Sequence, residues 1–184
     1  FIQLYHFVAS AVELKNKTVL EVGSGRGGGT DFITRYFQPS KMFGVDYSHN
    51  AIAFSNKVFK NSKVNYKFGD AEQLPFENKS LDVVINLESS HCYANVPAFF
   101  DEVNRVLKSG GYFSFVDFRD KEPFEGLKKE LKNSGLELVK STNKNQKKRL
   151  HVIMKPFLFM KDCSPYFITC TQPLNRRPDF SSNS

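Results

Sequence analysis

Between Lys17 and Phe118 the chain alternates short apolar runs with longer stretches whose apolar residues recur every three or four positions. That is the pattern of a parallel sheet whose strands are joined by helices. Thr18-Val-Leu-Glu-Val22 predicts a first strand, Asp31 to Phe37 a helix and Met42-Phe-Gly-Val-Asp46 a second strand, with Ser48 placed to cap a helix over about residues 50–60. Val64, Tyr66 and Phe68 alternate with Asn65 and Lys67, predicting a half-exposed edge strand. Leu81-Asp-Val-Val-Ile85 is apolar nearly throughout and predicts a central strand. After Pro97, one helical face carries Phe99, Phe100, Val103, Val106 and Leu107, and the other carries Asp101, Glu102, Arg105 and Lys108. Gly110-Gly111 is expected to stop that helix. Tyr112 to Phe118 predicts a fifth strand, Phe124 to Lys132 a helix and Leu136 to Val139 a sixth strand.

Beyond Ser141 the character changes. No glycine follows Gly135, Lys144 to Arg149 is basic and polar, and Pro156, Pro165, Pro173 and Pro178 interrupt regular structure. His151 to Met160 is apolar enough for one strand, but Pro156 demotes it to an edge or to no strand. Residues 173–184 read as disordered. The chain therefore divides into a domain over residues 1–141 and an atypical basic tail over 142–184.

That division changes the meaning of the charge. The 184 residues carry 26 Lys+Arg against 19 Asp+Glu, a net +7 that points at first toward nucleic acid or an anionic membrane. Residues 1–139 hold 17 of each sign, so the whole excess lies in the last 45 residues, where no nucleic-acid motif accompanies it. No nucleic-acid partner is expected. The apolar runs fall short of the roughly 20 residues of a membrane span. Cys92, Cys163 and Cys170 lack metal-ligand or CxxC spacing, so no metal site is expected and a reducing, cytoplasmic setting is. The sequence begins at Phe1 with no signal pattern and is expected to be a fragment. No residue pattern assigns an oligomeric state.

Three segments carry candidate chemistry. The first is Val19-Leu-Glu-Val-Gly-Ser-Gly-Arg-Gly-Gly-Gly29 at a strand-to-helix turn, where glycines permit close approach of backbone to ligand and free the helix N-terminal N–H groups. Gly23-x-Gly25-x-x-Gly28, with Asp46 18 residues further on, fits a dinucleotide fingerprint as well as S-adenosylmethionine. The second is Asp46-Tyr47, a carboxylate for ribose hydroxyls beside a ring for adenine. The third, Gly69-Asp-Ala-Glu-Gln-Leu-Pro-Phe76, favours an adenine, because Asp70 can accept from the exocyclic amine while the Ala71 N–H donates to the ring.

These segments, with Gly44-Val-Asp-Tyr-Ser48 and Arg105-Val-Leu-Lys-Ser-Gly-Gly-Tyr-Phe113, resemble the ordered motifs of class I S-adenosylmethionine-dependent methyltransferases of the type-11 sort, over about Leu4 to Val139. Asn86-Leu-Glu-Ser-Ser-His-Cys-Tyr93, with Ile2-Gln-Leu-Tyr-His6 and Asp117-Phe-Arg119, is most similar to the phthiotriolone/phenolphthiotriolone dimycocerosates methyltransferases, and more distantly to sterol 24-C-methyltransferases. The resemblance implies an α/β, Rossmann-like fold with a seven-stranded sheet in order 3-2-1-4-5-7-6, its last strand antiparallel. Whether this chain holds that last strand is left open by the tail. The resemblance also implies S-adenosyl-L-methionine as cofactor, at Glu21, Gly23, Ser24, Gly25, Gly27, Asp46, Tyr47, Asp70, Ala71 and Asn86.

Methyl transfer is an in-line displacement that demands alignment, and a base only where the nucleophile holds its proton. The loop after the fourth strand offers Glu88, His91 and Tyr93, of which His91 and Glu88 are the candidate catalytic residues. His91 suits a hydroxyl nucleophile, and Glu88 suits a cationic intermediate of carbon methylation. The expected function is methyl transfer to a small, apolar, lipid-like or phenolic molecule. The alternatives are an inactive domain that keeps the cofactor fold and a nicotinamide-dependent oxidoreductase.

Overall fold

The computed structural model describes residues 2–118, 121–143 and 149–156. The elements run α1 (Ile2–Ala9), β1 (Thr18–Val22), α2 (Gly28–Phe37), β2 (Lys41–Asp46), α3 (His49–Val58), β3 (Val64–Phe68), β4 (Leu81–Leu87) and a 3-10 turn (Ser90–Cys92). They continue through α4 (Val96–Val106), β5 (Leu107–Phe118), α5 (Lys121–Asn133), β6 (Leu136–Asn143) and β7 (Arg149–Pro156). The strands form one seven-stranded sheet in the order β3-β2-β1-β4-β5-β7-β6. β1 to β5 pair in parallel, and β7 runs antiparallel to both β5 and β6.

The side-chain alternation along β5 shows how the sheet separates two cores. Phe113 and Phe115 join Phe99 and Phe100 of α4 in one fully buried aromatic cluster, with ring centroids 5.4–6.2 Å apart. Val116 faces the other way, into a core built from α1, α2 and the strands with Val8, Ile33 and Met42. On that same face the Ser114 hydroxyl donates to the Val8 carbonyl at 3.0 Å, tying down the end of α1. Caps set the helix starts: Ser48 Oγ accepts from the Ala51 N–H, and Asn95 Oδ1 from the Ala98 N–H ahead of Pro97.

Three local expectations change. The helix after the glycine turn starts at Gly28, because Gly27 in the left-handed region (φ 80°) turns the chain directly into it. Gly110-Gly111 does not stop α4: the helix ends at Val106, and β5 runs from Leu107 through both glycines, with a register shift against β4 between Leu81 and Val83. The strand expected at an edge or not at all is β7, which lies inside the sheet between β5 and β6. Pro156 is compatible with that position because it is the last residue of the strand, paired with Leu136 at the start of β6. The final antiparallel strand is thus present, and it comes from the stretch that composition sets apart as a tail. Cys163, Cys170 and the segment 173–184 lie outside the described residues.

Candidate active site

The site lies at the carboxyl ends of β1, β2, β3 and β4, the place where open α/β sheets bind ligands. Two cavities meet there. One, of about 560 Å³, is lined by Gly23, Asp46, Tyr47, Asp70, Ala71 and Glu72 together with Glu88, Ser89, Cys92 and Tyr93. The other, of about 830 Å³, is lined by the glycine turn (Gly23, Ser24, Gly25, Arg26, Gly28 and Gly29) and by Ile2, Tyr5, Phe32, Leu87, Glu88 and His91. Gly23 and Glu88 border both. Glu88 holds a left-handed backbone (φ 48°), unusual for a residue with a side chain, where β4 turns into the 3-10 segment.

The glycine turn is built for close approach. Gly23 and Gly25 have φ of 75° and 52°, which exclude most side chains. A Cβ at Gly23 would collide with Ser89, whereas Gly25 and Gly28 face open space. The Ser24 hydroxyl lines the larger cavity, is buried and has no hydrogen-bond partner among the described residues. Asp46 ends β2 with one carboxylate oxygen accepting from the Gly25 N–H at 2.7 Å and the other from the Ser48 N–H at 2.9 Å, so it braces the turn as well as facing the cavity. Asp70 accepts from the Glu72 N–H at 2.9 Å, which holds the Asp70–Gln73 turn against the smaller cavity.

Three of the residues singled out by sequence line neither cavity. Gly27 is a packing position, since a Cβ there would meet Ser55 and Tyr66 at 2.7 Å. Asn86 is fully buried under the junction, its amide donating to the Val22 carbonyl, Ser89 and Tyr93. Burial pushes the Tyr93 phenol above its ordinary range, so it stays a neutral hydroxyl in this network. Glu21 is also fully buried, and its two oxygens accept from Tyr5 of α1 at 2.8 Å and Thr30 of α2.

Burial raises Glu21 to about 7 against an ordinary value of 4.5, opposed by the bonds from Thr30 and Tyr5 and reinforced by Asp46. Between pH 4.5 and 7 the folded chain therefore holds a proton that the unfolded chain has lost. Stability falls as pH rises through that window, by about 3 kcal/mol from this group, and is flat with respect to it above. Thermal melts from pH 4.5 to 7.5 are expected to show this decline in the wild type and not in Glu21→Gln. An unchanged slope in the variant would assign the decline elsewhere.

His91 and Asp117 form the other feature of the site. His91 stands in the 3-10 turn after β4, partly exposed and bordering the larger cavity. Its Nδ1 is 2.8 Å from Oδ1 of Asp117, fully buried at the end of β5, while the buried Ser90 hydroxyl donates to Oδ2. The sequence marked His91 as a catalytic candidate and Asp117 only within a stretch of family resemblance, and it did not pair the two.

Residues 20–115, just over half of the chain, match the sequence profile of the methyltransferase domain. The chain belongs to the class I methyltransferase family. That membership implies S-adenosylmethionine, one of the two cofactor readings the glycine turn left open. The open space over Gly25 and Gly28, the unpartnered Ser24 hydroxyl and the acidic lining from Asp46, Asp70, Glu72 and Glu88 fit a close-lying nucleoside that carries a positive sulfonium. The chain is 40% identical over 136 residues to the phthiotriol/phenolphthiotriol dimycocerosates methyltransferase of Mycobacterium leprae, covering 74% of this chain and 50% of the relative. It is 38% identical over 138 residues to the fatty-acid O-methyltransferase of Mycolicibacterium smegmatis, covering 75% and 50%. The chain spans about half the length of the curated relatives it matches. A solved S-adenosylmethionine-dependent methyltransferase from Aquifex aeolicus superposes with a TM-score of 0.69 at 18% identity, over 80% of this chain and 86% of that one, a likeness of fold. No helix among the described residues is long and apolar enough to cross a membrane.

Proposed function

We propose that this chain transfers a methyl group from S-adenosylmethionine to a hydroxyl oxygen of a small, lipid-like or phenolic acceptor. One observation carries the choice of oxygen: a histidine bordering the larger cavity, backed by a buried carboxylate. Carbon methylation would call for a carboxylate facing a developing cation; Glu88 borders the same cavity, but the hydrogen-bonded imidazole is the group equipped to take a proton. The apolar wall of Ile2, Phe32 and Leu87 favours an apolar acceptor, and Ile2 and Phe32 also wall a neighbouring aromatic depression with Tyr36 and Phe37. The two relatives are named for lipid substrates.

When bound, S-adenosylmethionine supplies the electrophilic methyl group on its sulfonium. In this reading Asp46 receives the ribose hydroxyls, Tyr47 covers the adenine edge, and Asp70 with the Ala71 N–H reads the adenine. Gly23, Ser24 and Gly25 cradle the amino-acid end. Glu21, Gly27 and Asn86 act one layer further out: Glu21 seats α1, Gly27 turns the loop into α2, and Asn86 holds Ser89 and Tyr93 over Gly23. His91 takes the acceptor's proton, and Glu88 places a negative charge at the junction of the cavities.

Calorimetry of the full chain with S-adenosylhomocysteine is expected to give saturable binding that Asp46→Ala weakens by at least ~10-fold, the scale of a lost charge-assisted hydrogen-bond pair. Radiolabelled methyl transfer is then expected to long-chain alcohol and long-chain phenol acceptors. No binding by the wild type would sink the methyltransferase reading. Binding without transfer to lipid, phenol or amine panels would select the second reading, an inactive cofactor-binding domain.

A further inference from the structure

Glu102 and Arg105 fall on the polar face of α4, where the pattern alone suggests solvated charges. They are instead bonded to each other and to the loop between β3 and β4. Arg105 Nε donates to Glu102 Oε1 at 2.6 Å and Nη2 to Oε2 at 2.6 Å, a two-pronged pair. The rest of the guanidinium is spent on the loop: Nη1 donates to the Phe76 carbonyl at 2.8 Å and to Asn78 Oδ1 at 2.8 Å, and Nη2 to the Leu74 carbonyl at 3.0 Å. Glu102 Oε2 closes the circuit by accepting from the Leu74 N–H at 2.7 Å. A second tie lies at the other end of α4, where Glu72 accepts from the N–H of Asn95, the residue that caps the helix. The arginine bond holds the Glu102 carboxyl below its ordinary range, so the pair stays charged.

The clamped Leu74, Phe76 and Asn78 directly follow, in the same loop, the Asp70, Ala71 and Glu72 that line the smaller cavity. A loop of this length without regular structure has many conformations to lose on ligand binding, and fixing it beforehand removes that cost. α4 is anchored in the aromatic core by Phe99, Phe100 and Val103, so it is a rigid post for the loop.

We propose that Glu102 and Arg105 are positioning residues for base recognition: together they clamp the Leu74–Asn78 stretch to α4 and so hold Asp70 and the Ala71 N–H in the geometry that distinguishes adenine from other bases. The proposal rests on the reading of Asp70 and Ala71 as the adenine contacts. Only a planar fork serves all these acceptors at once, so lysine cannot replace the arginine.

The test compares binding of S-adenosylhomocysteine with that of its inosine analogue, in which an oxygen replaces the exocyclic amine. Calorimetry is run on the full chain as wild type, Arg105→Met, Arg105→Lys and, as a control for loss of an ordinary surface ion pair, Lys108→Met, which breaks the bond to Asp82. The wild type and Lys108→Met are expected to prefer the amine by roughly 10-fold, the scale of a hydrogen bond lost against an unsatisfied partner. Both Arg105 variants are expected to bind the two ligands within about twofold of each other while still binding them through Asp46. Arg105→Lys keeps the charge and most of the packing, so the comparison survives if Arg105→Met does not fold. A wild type that shows no preference would overturn the adenine reading and this proposal with it. A wild-type preference retained in a folded Arg105 variant would overturn the clamp alone.

Discussion

Replacing His91 with alanine is expected to lower kcat for a hydroxyl acceptor by roughly 10²- to 10⁴-fold, the range that a positioned general base contributes, while S-adenosylhomocysteine binding stays within about threefold of wild type. The reason is the division of labour in the site. The glycine turn, Asp46 and the Asp70 turn line cavity walls that His91 does not brace, whereas the imidazole borders the larger cavity alone with its Nδ1 turned inward to Asp117. With Nδ1–H donating to the Asp117 carboxylate, the lone pair left over is on Nε2, the atom available to a proton on the acceptor. Asp117→Asn leaves the volume unchanged but offers Nδ1 an amide that can donate, favouring the wrong tautomer. Its expected effect is a kcat loss of the same order, with little further loss when it is combined with His91→Ala, because the two act as one unit. Single-turnover rates at saturating cofactor make the measurement. A His91→Ala protein with wild-type single-turnover rate would remove the base from the mechanism and leave alignment as the whole contribution of the protein.

The second large effect concerns stability and runs against helix propensity. Gly29 sits inside α2 with no positive φ, so by local preference alone alanine would stabilise that helix by about 1 kcal/mol. In the fold the sign reverses. A Cβ at Gly29 would lie 1.9 Å from the Tyr5 ring and 2.3 Å from its hydroxyl, so the ring must leave. With it goes the hydroxyl that donates to the fully buried Glu21, and α1 loses its seat over the glycine turn. Overpacking together with a lost bond to a buried carboxylate is expected to cost about 3 kcal/mol. Denaturant unfolding of Gly29→Ala is expected to show this as a lower midpoint, and Tyr5→Ala combined with Gly29→Ala to cost less than the sum of the two single changes. A stabilised Gly29→Ala would show that Tyr5 does not occupy this seat in solution.

Tyr5 and Gly29 also illustrate what a linear reading reaches. The glycine turn was legible because several glycines at a strand-to-helix junction have few other uses, and Asp46 and Asp70 because they stand at strand ends. β4 was legible as a central strand from its unbroken apolar run, and β3 as an edge from its alternation. Other features were hidden by pattern. Asp117 lies in an apolar strand, where a lone carboxylate looks like noise until His91 and Ser90 are brought to it from the neighbouring loop. Arg105 and Glu102 look like any solvated helix face, because the loop that covers them is some 30 positions earlier in sequence. β7 was obscured by the proline at its end and by the basic stretch before it. What admits it to the sheet is a pair of open ladders, on β5 and β6, that the linear pattern does not display.

By itself, then, the sequence determined the alternation of strands and helices, the glycine turn and the carboxylates at the strand ends, because these depend on periodicity and on the conformational needs of single residues. Only the tertiary structure decided that Glu21 is a buried seat for Tyr5, that His91 is backed by Asp117, and that the Arg105 fork holds the Asp70 loop. Each of those is a contact between segments at least 16 residues apart. Hydrogen bonds of that reach depend on how the sheet stacks its strands and where the helices cross it, and no local pattern encodes them.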